Sequence, residues 1–176
     1  MHFDFIYPST FKNTSVDDGV KKEQDKGTGV EKGATNCVTV PITAMDLTKG
    51  FSMLMLMRLD EACIGKEMAP AELGAAITSI LAESLTQFGK PTMSSSTDYD
   101  VDGHSASNVF ASVHDETFED LHAAASCVIS GKNLSCFVFI SADCPYLATI
   151  AESTVKFGSD APAPVIPAKL VPACKP

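Results

Sequence analysis

Two apolar runs, Ala123 to Ile129 and Leu134 to Ile140, flank the turn signal Ser130-Gly131-Lys132-Asn133, and each run carries one cysteine. No other feature leaves this chain so little freedom. Apolar, strand-length runs around a short polar stretch containing glycine form the pattern of a β-hairpin. A two-residue loop at Gly131-Lys132 sets Cys127 opposite Cys136. Counted outward from the loop, that pair falls on a non-hydrogen-bonded rung, where Cα atoms approach to about 4.5 Å. A disulfide accepts that distance. The alternative is two buried free thiols.

Cys37, Cys63, Cys144 and Cys174 complete a set of six. None stands in Cys-x-x-Cys spacing and no closely spaced histidine pair accompanies them, so a structural zinc site is not supported. An even number of widely spread cysteines suits a disulfide framework in an oxidising compartment. The expected bonds are Cys127–Cys136; Cys37–Cys63, because a hairpin turning at residues 46–50 brings their neighbourhoods together; and Cys144–Cys174 by elimination. The expected location is extracytoplasmic, periplasmic or secreted. Met1-His2-Phe3-Asp4 lacks the basic and apolar regions of a signal peptide. Met1 is therefore read as standing where a leader has been removed, the competing reading being a cytosolic protein. No apolar stretch reaches the roughly 18–20 residues needed to span a bilayer.

The 176 residues fit one domain, and a hydrophobic fraction of 45% excludes wholesale disorder. A net charge of −9 with pI near 4.7 argues against nucleic acid or an anionic membrane as partner. Nor is a basic patch hidden in the average. Arg58 is isolated, and Lys21, Lys22, Lys26 and Lys32 are interleaved with Glu23, Asp25 and Glu31.

Along the chain, Phe3 to Tyr7 alternates briefly and stops at Pro8, and residues 12–36 are polar, as in an exposed loop. Cys37 to Met45 is β-rich, with Pro41 implying an edge strand or a bulge. Phe51 to Asp60 is apolar on both faces: Phe51, Met53, Met55, Met57 and Leu59 on one, Leu54 and Leu56 on the other. That pattern predicts a central strand covered on both sides. Leu73, Ala76, Ile77, Ile80, Leu81, Ser84 and Phe88 follow the helical period over 70–88, with Pro70 in the first turn and Gly89 and Pro91 as the stop. Asp102-Gly103 is a type I′ hairpin signal. A second helix is predicted from Pro145 to Lys156, with Asp143 as N-cap and Leu147, Ile150, Ala151 and Val155 buried. The tail, 158–176, is proline-rich and expected to be extended and tethered by Cys174. An α+β domain over residues 1–157, with an antiparallel sheet and helices on both faces, accommodates this order.

The same residues resemble the PsbP-like superfamily, named for an extrinsic subunit of photosystem II. The resemblance rests on Phe3-x-Phe5-x-Tyr7-Pro8-x-x-Phe11, the hydrophobic strand pair, the helix ending in Phe88-Gly89, the Tyr99-x-Val101-x-Gly103-x-x-Ala106 hairpin, two further strands and a terminal helix ending in Phe157. It departs at Phe11, where tryptophan is common, and in its cysteines. It implies an α/β/α sandwich around an antiparallel sheet of about six strands, and a role of the assembly or docking kind. Known members include lumenal photosystem subunits and a nuclear-transport factor that binds a small GTPase. No partner-binding residue transfers, because no matching motif is present.

Candidate chemistry is sparse. Asp98-x-Asp100-x-Asp102-Gly103 matches half of an EF-hand loop, but Val109 stands where the bidentate glutamate belongs, and the stretch reads instead as a hairpin that needs no metal. Met53, Met55 and Met57 offer three soft thioethers on one strand face. The competing role is filling core gaps beneath a helix, which Phe51 and Leu59 on that face favour. His114 and His122 flank a turn that holds four carboxylates, among them Glu116 and Glu119. A register setting His114 opposite His122 would make a weak divalent-metal site, and a one-residue slip would separate them. No Gly-x-Ser-x-Gly is present, and cysteines held in disulfides are not nucleophiles. No catalytic residue and no cofactor is expected. The sequence reads as an extracytoplasmic docking module whose partner is another protein. A metal-binding protein is the alternative, and a hydrolase or small-molecule carrier comes third.

Overall fold

The computed structural model describes residues 3–14, 38–48, 50–60, 69–116, 119–130, 133–143, 153–158 and 161–173. Its centre is an antiparallel sheet of β2 (Lys12–Asn13), β3 (Val38–Asp46), β4 (Ser52–Asp60), β5 (Thr92–Met93), β6 (Thr97–Val101), β7 (His104–Asp115), β8 (Glu119–Ser130) and β9 (Asn133–Ser141). The order is β2-β3-β4-β9-β8-β7-β5, with β6 also pairing β7. The class is α+β, and the sheet has eight strands rather than about six. The extra members are the two-residue edge strands β2 and β5, too short to leave a periodic signal.

Each face of the sheet has its own cover. Leu73, Ile77, Leu81 and Leu85 of α1 (Pro70–Leu85) are buried on β7 and β8, against Val109, Ala111, Val113, Leu121, Ala123 and Ala125. The helix begins at Pro70, with the Glu72 carboxylate accepting from the Ala69 N–H at 3.3 Å. Thr86–Phe88 forms a 3₁₀ turn, and Gly89 then ends the segment with φ +141°. A Cβ there would lie 2.9 Å from the His114 carbonyl oxygen, so the chain needs glycine.

The opposite face carries Leu54, Leu56, Ala124, Val128, Phe137 and Phe139 and is covered by the two ends of the chain. β1 (Asp4–Ile6), β10 (Thr154–Lys156) and β11 (Ala163–Pro164) form a small sheet in the order β1-β10-β11. Phe5 packs against Phe137 with the rings inclined at 57° and their centroids 4.9 Å apart, and Phe3 lies beneath the Arg58 guanidinium at 5.0 Å. Val165 and Ile166, from the proline-rich tail, are fully buried in this layer.

Two expectations are corrected. Thr154–Lys156, placed by the sequence in the last turn of a helix, is strand: its backbone pairs with β1 and β11. The start of that helix, from Pro145, lies outside the described residues. Among the described residues, the second layer over the sheet is therefore strand and extended chain, and α1 is the only α-helix. Second, α1 sits over β7 and β8, so Phe51, Met53, Met55, Met57 and Leu59 on β4 are half-buried rather than sealed.

The local turns follow their residue types. Asp102 and Gly103 have φ of +52° and +78°, both positive as a type I′ turn requires, and join β6 to β7. Around Pro41, the β3–β4 register shifts between Thr39 and Ile42, which places a bulge where proline cannot donate.

Candidate functional site

The β8–β9 hairpin sets Cys127 opposite Cys136, with Cα atoms 4.0 Å apart, and a disulfide joins them. Both cysteines are fully buried on the helix side, in the middle of the sheet. Cys37, Cys63, Cys144 and Cys174, and therefore the bonds expected between them, lie outside the described residues.

The histidine pair takes another arrangement. β7 and β8 meet with His114 opposite Asp120 and His122 opposite Ser112, two residues out of the register that would oppose the imidazoles. Both rings stay on one face, because a shift of two preserves the alternation. His114 is exposed, with Nδ1 3.1 Å from Asp120 Oδ1. His122 stands one row inward, between Ser112 and Ser141. Glu116 is exposed, and Glu119 begins β8. Among the described residues, no three histidine, cysteine or carboxylate side chains converge on a common point. Asp98 and Asp100 belong to strand β6 rather than to a loop. The Asp102 carboxylate accepts from the Phe157 N–H at 3.0 Å, tying the type I′ turn to the end of β10.

Sequence reasoning missed two polar constellations. At one end of the sheet, on the face away from α1, a row runs Asp46, Ser52, Ser141, His122, Ser112 across five strands. Ser52 Oγ and Ser141 Oγ share a hydrogen bond at 2.9 Å, and both serines are buried. Asp46 Oδ1 accepts from Thr48 N at 2.8 Å and Thr48 Oγ1 at 2.6 Å, which ties Thr48 back to the end of β3. That connection carries Leu47, which is 72% exposed. The only available signal was the aspartate or serine at one end of three apolar strands, Asp46 of β3, Ser52 of β4 and Ser141 of β9.

The second constellation locks the tail to the sheet. Tyr99 Oη donates to the Val165 carbonyl at 2.7 Å and is hydrogen-bonded to Ser126 Oγ, itself 3.3 Å from that carbonyl. Burial pushes the Tyr99 phenol well above its ordinary value, and the hydrogen bond from Ser126 offsets this in part. The phenol is therefore a neutral donor, suited to holding a carbonyl and unsuited to acting as a base near neutral pH.

No protein-family model matches the sequence, and no curated protein matches it. Among solved structures, it is similar to cyanobacterial PsbP (CyanoP) from Synechocystis sp. PCC 6803. The TM-score is 0.50 at 14% identity, over 80% of this chain and 75% of that one. The fold is PsbP-like. Further similar structures are PA94 from Pseudomonas aeruginosa, a protein of unknown function and putative regulator (TM-score 0.43, 13% identity, 66% of this chain and 78% of that one), and LpqN, involved in cell envelope biogenesis of Mycobacterium tuberculosis (TM-score 0.42, 11% identity, 79% and 69%). No helix among the described residues is long and apolar enough to cross a membrane.

Proposed function

We propose that this chain is an extracytoplasmic docking module, which acts by holding another protein rather than by turning over a substrate. The observation that carries the reading is the corner between β3 and β4. Leu47 stands in water at 72% exposure on a turn whose backbone is pinned by the buried Asp46 carboxylate. Beside it lies the half-buried Phe51, whose carbonyl accepts from the Ala142 N–H at 2.8 Å. An apolar side chain between residues bonded in this way has less conformational freedom to lose on binding, so docking there costs less entropy. The buried Cys127–Cys136 bond supports the compartment, since disulfides persist where the surroundings are oxidising.

A photo-reactive residue placed at Leu47 tests the reading in the native host, with the same residue at the exposed helix position Glu83 as control. A discrete cross-linked protein from position 47 and none from position 83 is the expected outcome. Identical patterns from both positions would overturn it, as would alkylation of Cys127 as a free thiol in intact cells.

A further inference from the structure

Met45, Met53, Met55 and Met57 stand on one face of the sheet, and every one of them is half-buried. Met45 of β3 is directly opposite Met53 of β4, and Met55 follows two residues on, diagonal to Met45 and opposite Thr43. Directly opposed side chains start about 5 Å apart at Cβ, and diagonal ones about 7 Å apart. The three rotatable bonds of methionine let sulfurs so placed turn toward one point. Four of the seven methionines of the chain are gathered here. Among the described residues, α1 packs chiefly on β7 and β8, and Met53, Met55 and Met57 lie partly buried at the edge of the helix-side core.

We infer that Met45, Met53 and Met55 form a thioether site for a soft monovalent cation, Cu(I) or Ag(I). Thioether sulfur is a soft, neutral ligand that selects Cu(I) and binds Zn²⁺, Mg²⁺ or Ca²⁺ poorly. The surroundings reinforce that selection. Phe51 and Leu59 bound the row on β4, Val138 and Ile140 flank it on β9, and among the described residues the charged group in register with it is Lys12, opposite Met45. Among the described residues that apolar rim holds no carboxylate, and so gives a hydrated divalent ion nothing to replace its water. A nearby ammonium penalises a single positive charge less than a double one. Met57 lies next to the β3 bulge and opposite Cys136, whose sulfur is already in the disulfide, so it extends the row without completing the triad. The site is independent of docking at Leu47, and either can fail without the other.

The test uses the full-length oxidised chain, with any residual thiol alkylated and the methionine methyl groups labelled with ¹³C. Ag(I) is titrated as the nitrate, and Cu(I) is titrated in competition with bicinchoninate. The expected result is that the methyl resonances of Met45, Met53 and Met55 shift together and saturate at one equivalent, while Met93 on β5 does not move. The M45L/M53L/M55L variant, which keeps side-chain volume, should bind at least tenfold more weakly with an unchanged circular dichroism spectrum, whereas M93L should bind normally. Unmoved resonances at ten equivalents, an equal response to Zn²⁺, or undiminished affinity in the folded triple variant would each overturn the site.

Discussion

Replacing Tyr99 with phenylalanine removes one oxygen from the lock between sheet and tail, and the consequence depends on pH in a way that can be calculated. Near pH 8 the variant loses the donor to the Val165 carbonyl, while Ser126 Oγ, 3.3 Å from that carbonyl, becomes free to donate in its place. A net loss of about 1 kcal/mol is expected. In the wild type, the folded phenol titrates above its unfolded value of about 10, because burial disfavours the phenolate. A group raised in this way contributes stability that is complete below pH 10 and declines as pH climbs toward the folded value, since only the unfolded chain releases the proton. That decline amounts to about 0.4 kcal/mol at pH 10 and about 1.4 kcal/mol at pH 11. The variant has no such proton, and all other alkaline groups cancel in the comparison. The stability gap should therefore shrink from about 1 kcal/mol at pH 8 to nothing or a slight reversal at pH 11. Urea unfolding followed by far-UV circular dichroism at pH 8, 10 and 11 measures it. A gap that stays constant across that range would show that Tyr99 ionises as readily folded as unfolded, and the lock would not be what holds Val165.

Three further outcomes follow from single contacts. The C127A/C136A variant should unfold with a loss of about 2.6 kcal/mol, the loop entropy for a sequence separation of 9; a loss under about 0.5 kcal/mol in urea would refute that account. Gly74→Ala should lower the melting temperature despite the roughly 1 kcal/mol helix preference of alanine, because its Cβ would lie 2.4 Å from Ser96 Oγ. The double variant G74A/S96G should recover, and no recovery would point to another cause. His114, with Nδ1 on Asp120, has Nε2 left to bind Zn²⁺ weakly; histidine resonances unmoved at millimolar Zn²⁺ would retire that idea.

What was legible in the sequence was local. The Asp102-Gly103 turn depends on two adjacent residues that tolerate positive φ, and the β8–β9 register depends on a loop too short to slip. The helix over 70–85 was marked by its own period and punctuation, although Leu85, fully buried, was absent from the expected stripe. The misread parts were decided at long range. Thr154 and Val155 carry β-branched side chains, yet Val155 continues the apolar period of Leu147, Ile150 and Ala151, which reads as helix until β1, from the other end of the chain, pairs with both. The tail looked structureless because prolines cannot sustain a ladder, but an edge strand tolerates them, and Val165 and Ile166 supply the burial. The His114 register failed for a narrower reason. Opposing His114 to Asp120 rather than to His122 takes only a turn two residues shorter, and acidic turn residues do not specify that length.

The exposure of the methionine row follows from widths. A helix with its side chains is about 10–12 Å across, and strands are spaced about 4.8 Å apart, so one helix covers two strands well and a third at its margin. Where it settles is decided by the residues beneath it. Ala111, Ala123 and Ala125 on β7 and β8 let the leucine stripe of α1 come close, whereas Val138, Ile140 and the methionines stand taller on β9 and β4. The helix thus occupies the low ground, and β4, separated from β8 by β9, lies beyond its reach. Apolarity on both sides of β4 was a sound reason to expect cover on both sides for leucine or valine. For methionine the reasoning has a gap, because a thioether is apolar enough to read as core and polarizable enough to serve as a ligand. β4 carries Leu54 and Leu56 buried on one face and Met53, Met55 and Met57 half-buried on the other, so one apolar pattern in sequence corresponds to full cover on one side and partial cover on the other.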